Sequence, residues 1–172
     1  MDGNGLPDPR IERMRDPEGA HSQAWATTLE EMEVMADDRR SDGWEVRTVM
    51  AAHTDTVTRD MREHDRFGLT HIIPNNHVDA FRDFWDPDEF TEYLIYANAV
   101  HGFMYTVIEL IDPVDERSIF LATRYDMTMA KGMVDNAKEE GVLYSHVKSI
   151  DGTILASIPY EEFEPLVTHP DR

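Results

Sequence analysis

Residues 103–111, Phe-Met-Tyr-Thr-Val-Ile-Glu-Leu-Ile, carry one carboxylate (Glu109) in a run that is apolar on both faces. Few segments leave a chain so little choice, because a strand of this kind must lie at the centre of a sheet. The neighbouring segments are read as what surrounds it.

The spacing predicts a helix over 22–42, with Trp25, Leu29, Met32 and Met35 or Ala36 on one stripe. Ser22 can cap its start, Arg39 and Arg40 suit its negative end, and Gly43 can take a left-handed stop. Strands follow over 44–52 and 67–73, the second ending at Pro74. A short helix carries Val78, Phe81 and Trp85. Asp86-Pro87-Asp88-Glu89 reads as a helix start, predicting a helix that buries Phe90, Leu94 and Ala97 and stops at Gly102. A strand over 118–125, a helix over 128–140 and strands over 142–150 and 153–158 complete the pattern. Asp151-Gly152 is the turn of a final two-residue hairpin. That hairpin sets His146 opposite Ser157 and Lys148 opposite Leu155, facing solvent or a groove.

Three helix-strand-strand units emerge, each helix stopping at a glycine (Gly43, Gly102, Gly141). A glycine stop before a buried strand is common enough to account for this without an internal repeat. The expected fold is α+β: an antiparallel sheet of about six strands with three long helices packed on it. Residues 1–21, with three Gly and three Pro, read as a flexible arm, and 22–172 as one domain. Trp25, Leu29, Trp44, Phe90, Leu94, Val107 and Val134 are expected in its core. The mixed-charge segment 53–66 is expected to be irregular.

Charge bounds the environment. Thirteen arginines and three lysines stand against 35 Asp and Glu, a formal charge of -19. The acids are spread along the whole chain, as on a solvated surface rather than a tail. Such a charge opposes compaction in dilute solution, whereas in molar salt the Debye length falls to about 3 Å. With 41% apolar residues the chain has enough for a packed core. It has no cysteine for a thiolate, disulfide or metal site, and no apolar run near the 18 or so residues that span a bilayer. A cytoplasmic, high-salt setting is expected, without membrane or nucleic-acid partners, since phosphate binding leaves a basic footprint.

The element order and the Asp151-Gly152 hairpin precede a Pro- and acid-rich tail (Pro159, Glu161, Glu162, Glu164, Pro165). Together they resemble a small family of uncharacterised haloarchaeal proteins. The resemblance implies no activity and assigns no functional residue.

Three groups could carry chemistry. His53 and Asp55 share a strand face and, with a distant His71 or His146, would make a two-His-one-carboxylate site for zinc or iron(II). Arg59, Arg62 and Arg66 would line one helical face and could bind an anion, although Asp60, Glu63 and Asp65 can pair with them. Glu109, if buried, could act as an acid or base, or could meet Arg117 or Arg124. The favoured reading is a non-catalytic module that binds a protein partner or a small anionic ligand without a cofactor. The alternative is a metal-dependent enzyme built on the His-x-Asp pair.

Overall fold

The computed structural model describes residues 19–59 and 67–168, so most of the expected arm lies outside the described residues. Helix α1 (Ala20–Ser41) begins just ahead of the expected Ser22. Its apolar stripe does what the spacing requires. Met32 and Ala36 are buried, and Trp25, Leu29 and Met35 pack at their margin. At the other end Gly43 takes φ +88°, letting Gly43 N–H donate to the Arg40 carbonyl and Trp44 N–H to the Arg39 carbonyl, each at 3.0 Å. Those bonds satisfy carbonyls that the last turn would otherwise leave open.

The chain continues through strands β1 (Glu45–Met50), β2 (His53–Val57) and β3 (Gly68–Ile72) to helix α2 (Asn75–Phe84). Strands β4 (Glu92–Val100), β5 (Phe103–Asp112) and β6 (Arg117–Asp126) form a meander. A short 3-10 turn (Met127–Met129) leads to helix α3 (Lys131–Glu140), strands β7 (Leu143–Lys148) and β8 (Ile154–Tyr160), and helix α4 (Glu164–Val167).

Two four-stranded mixed sheets result, ordered β1-β6-β5-β4 and β2-β3-β7-β8. Each contains one parallel pair, β1 with β6 and β3 with β7. This corrects the expectation of one antiparallel sheet of about six strands carrying three helices. The division is made at Ala51-Ala52. Ala51 N–H donates to the Ala122 carbonyl at 2.9 Å, extending β1 along β6, and Ala52 N–H donates to the Ile72 carbonyl at 2.7 Å, opening the β2–β3 ladder. Residues that read as one strand and a loop thus feed two sheets.

The second correction concerns residues 86–102. Asp86 does cap a turn: its Oδ1 accepts Asp88 N–H at 2.9 Å and its carbonyl accepts Glu89 and Phe90 N–H. The helix goes no further. Tyr93, Ile95 and Ala99 pack against the core while Leu94, Tyr96 and Asn98 point away, the period-2 pattern of a strand. His101 (φ +46°) and Gly102 (φ +84°) form the two-residue turn into β5, so Gly102 is a hairpin glycine rather than a helix stop.

Layering explains why β5 is so apolar. Met32, Ala36, Val46, Val107, Phe120 and Ala122 pack α1 onto one face of the first sheet. On its other face Val49, Met104, Ile108, Leu110, Ile119 and Leu121 meet Leu69, Leu143, Val147, Ala156 and Ile158 of the second sheet. Of the expected core residues, Phe90 and Val107 are buried and Trp25, Leu29, Trp44 and Val134 are partly covered. Leu94 is 44% exposed. In the last hairpin His146 does pair with Ser157, but a register shift sets Lys148 opposite Ile154 instead of Leu155, and His146 is buried.

Candidate metal site at the turn between the third and fourth strands of the first sheet

The β5–β6 connection is ordered by one carboxylate. Asp112, 1% exposed, ends β5 opposite Arg117, which starts β6. Its Oδ1 accepts the N–H groups of Val114 and Asp115, both at 3.1 Å, which fixes the turn. Its Oδ2 accepts Arg117 Nε at 3.0 Å and Nη2 at 2.8 Å. Burial alone would push the Asp112 carboxyl up. The donors of Asp115, Arg117 and Val114 outweigh that and hold it below the usual carboxylate range. Arg117 also pairs with Glu89 from the Asp86-capped turn, and its guanidinium lies over the rings of Phe84 (5.3 Å) and Phe90 (5.1 Å).

These turns bring Glu89, Asp112 and Asp115 together, with one ligand atom of each within 4.8 Å of the others. Asp112 is buried and the other two are exposed. An all-carboxylate cluster of this kind is capable of coordinating a metal ion, and oxygen ligands suit hard cations such as calcium or magnesium better than zinc or iron(II). Arg117 supplies positive charge there, paired with Asp112 and Glu89.

The residues singled out from the sequence lie elsewhere. His53 Nε2 meets Asp55 Oδ1 at 2.6 Å, with both side chains more than half exposed on the edge strand β2. His71 sits on the opposite face of the same sheet, where Nδ1 meets Thr54 Oγ1 at 2.9 Å. His146 shares a cross-strand row with Asp55 and Thr70, and its Nδ1 meets Ser157 Oγ at 2.8 Å. Among the described residues these histidines do not form a three-ligand group. Arg59 pairs with Glu139 and, at 3.2 Å, with Glu140 of α3. Arg62 and Arg66 lie outside the described residues. Glu109 is 1% exposed and meets neither Arg117 nor Arg124: Arg39 of α1 grips it bidentately at 2.8 and 3.0 Å, and Ser118 donates to it.

The turn carries only part of the site in its local sequence. Asp112, Asp115 and Glu116 cluster beside Pro113, but Glu89 joins them only through the fold. Two hollows lie away from this cluster. One, about 410 Å³, runs between α1 and β4 and is lined by Gln23, Thr27, Glu31, Tyr96 and Asn98. The other, about 580 Å³, lies between α3 and α4 over Val134, Phe163 and Val167, bordered by Lys131, Lys138, Asp135 and Glu164. No described helix is long and apolar enough to cross a membrane. No curated protein and no solved structure matches the chain. A family match spans residues 11–168, nearly the whole length, and the chain belongs to the family of unknown function DUF7529.

Proposed function

We propose that this chain is a binding module that takes a hard divalent cation at Glu89, Asp112 and Asp115. The observation behind this reading is the convergence of three carboxylates from two separate turns within 4.8 Å. Arg117 offsets one of the three negative charges when the site is empty and makes binding an exchange: the ion enters as the guanidinium swings off Asp112 Oδ2. No residue is assigned a catalytic role. Calorimetric titration with calcium or magnesium in molar potassium chloride tests the idea, because the salt screens diffuse attraction to the acidic surface. Saturable one-to-one binding is expected, weakened at least tenfold by Glu89→Gln or Asp115→Asn and strengthened by Arg117→Gln. Binding that is absent, or indifferent to those exposed carboxylates, would leave the cluster as the counter-charge of Arg117 alone.

A second reading concerns a small anionic ligand. Two of only three lysines, Lys131 and Lys138, border the hollow between α3 and α4 over an apolar floor, beside Glu164 and Asp135, the latter paired with Lys131 at 2.8 Å. An amphipathic carboxylate would lay its apolar part on that floor and meet Lys138, and Lys131 in exchange for its pairing with Asp135. The working environment is inferred to be concentrated salt in a cytoplasm, supported by the -19 charge and the scarcity of lysine.

A further inference from the structure

We infer that the open edge of the first sheet pairs with the same edge of a second copy, β4 against β4 in antiparallel register centred on Tyr96. Strand β4 is the last of its sheet, and no described backbone group outside that sheet bonds to it. Long edge strands are normally blunted by charge, proline or a bulge; this one has no proline and no bulge, and its one charge stands at its first residue. Its sequence, Glu-Tyr-Leu-Ile-Tyr-Ala-Asn-Ala-Val, carries a single charge in nine residues, on a chain that is 30% charged. Leu94 and Tyr96, each 44% exposed, lie side by side on its outward face. Charge depletion with an aromatic at the centre is the composition of an interface core.

The position of the one charge selects the occupant. Tyr96 is the midpoint of Glu92–Val100, so a twofold axis there sets Tyr96 against Tyr96 of the partner subunit. Leu94 then faces Asn98 of the partner subunit, and Glu92 faces Val100 of the partner subunit. The two Glu92 carboxylates end eight residues apart, about 27 Å at strand rise, well beyond a Debye length of about 8–10 Å. A second copy therefore joins two neutral strips without opposing like charges within the ladder. The acidic remainder of each copy still repels, so pairing should strengthen as salt is added.

The chain has no cysteine, which makes the register directly readable. Sedimentation of the full chain in molar potassium chloride should give twice the 19.8 kDa monomer mass at high micromolar concentration. In dilute buffer the mass should fall toward the monomer. Tyr96→Glu, which sets two carboxylates face to face, should be monomeric with unchanged circular dichroism. Under mild oxidation Tyr96→Cys should crosslink to itself. Leu94→Cys and Asn98→Cys should each crosslink poorly alone and efficiently when mixed. A monomer under all these conditions, a dimer untouched by Tyr96→Glu, or self-crosslinking as strong at residue 94 as at residue 96 would overturn the inference.

Discussion

His71 is fully buried between the two sheets, with Thr54 as the hydrogen-bond partner of Nδ1 and none for Nε2. Burial drives its pKa from 6.5 down to about 3, and nearby His146 adds to the shift. The ring is therefore neutral in the fold at any ordinary pH, while in the unfolded chain it takes a proton below about 6.5. Its contribution to stability is complete above that value and is lost as pH falls toward 3. Between pH 7 and pH 5 the wild type should lose about 2 kcal/mol of unfolding free energy from this one group. His71→Asn should lose much less over the same interval. Denaturant unfolding at the two pH values checks this, and an equal loss in both proteins would remove His71 as the cause. The sequence offered His71 as a metal ligand because a histidine near other polar residues looks available. Its burial depends on β7 and on the facing sheet, which no local pattern reveals.

At the level of elements, Gly68 shows where two strands must come unusually close. Its φ is +137°, and a Cβ there would lie 2.0 Å from the Tyr144 carbonyl oxygen on β7. Gly141 also has positive φ, but its Cβ would meet nothing within 4 Å. Gly68→Ala should thus cost at least ~3 kcal/mol, against ~1–2 kcal/mol for Gly141→Ala, which bears the left-handed penalty alone. Comparable losses in denaturant unfolding would mean that β3 and β7 are not in this contact. The same scale shows what could be read beforehand. The α1 stripe and the turn at Gly43 were legible because a helix repeats its signal over many turns. Strand β5 was legible because both its faces are apolar. Strand β4 was misread because Phe90, Leu94 and Ala97 fall at helical spacing behind a genuine capping aspartate. The positive φ at His101 that makes Gly102 a hairpin residue has no signature in the sequence. Separating the sheets needed two alanines to change partners, and alanine is silent in any periodicity. Glu89 reached the carboxylate cluster for a related reason: the chain supplied the acids, and the fold brought them together.

Across the whole molecule, the charge is the property that sequence alone established and that every element must accommodate. Ion pairs set some of the 35 acids beside arginines: Arg39 holds Glu109, Arg117 holds Asp112 and Glu89, and Arg59 holds Glu139 and Glu140. Nineteen uncompensated negative charges still lie on one small molecule. A domain of this size has a net stability of only about 5–15 kcal/mol, so self-repulsion is large enough to decide whether it folds. Salt screens repulsion of this kind. The most direct test is thermal unfolding followed by circular dichroism and tryptophan emission from dilute buffer to molar potassium chloride. The midpoint should climb by on the order of 10 °C or more, equivalent to several kcal/mol, and compact structure should be lost at the dilute end. A midpoint that stays flat across that range would contradict a fold built for concentrated salt.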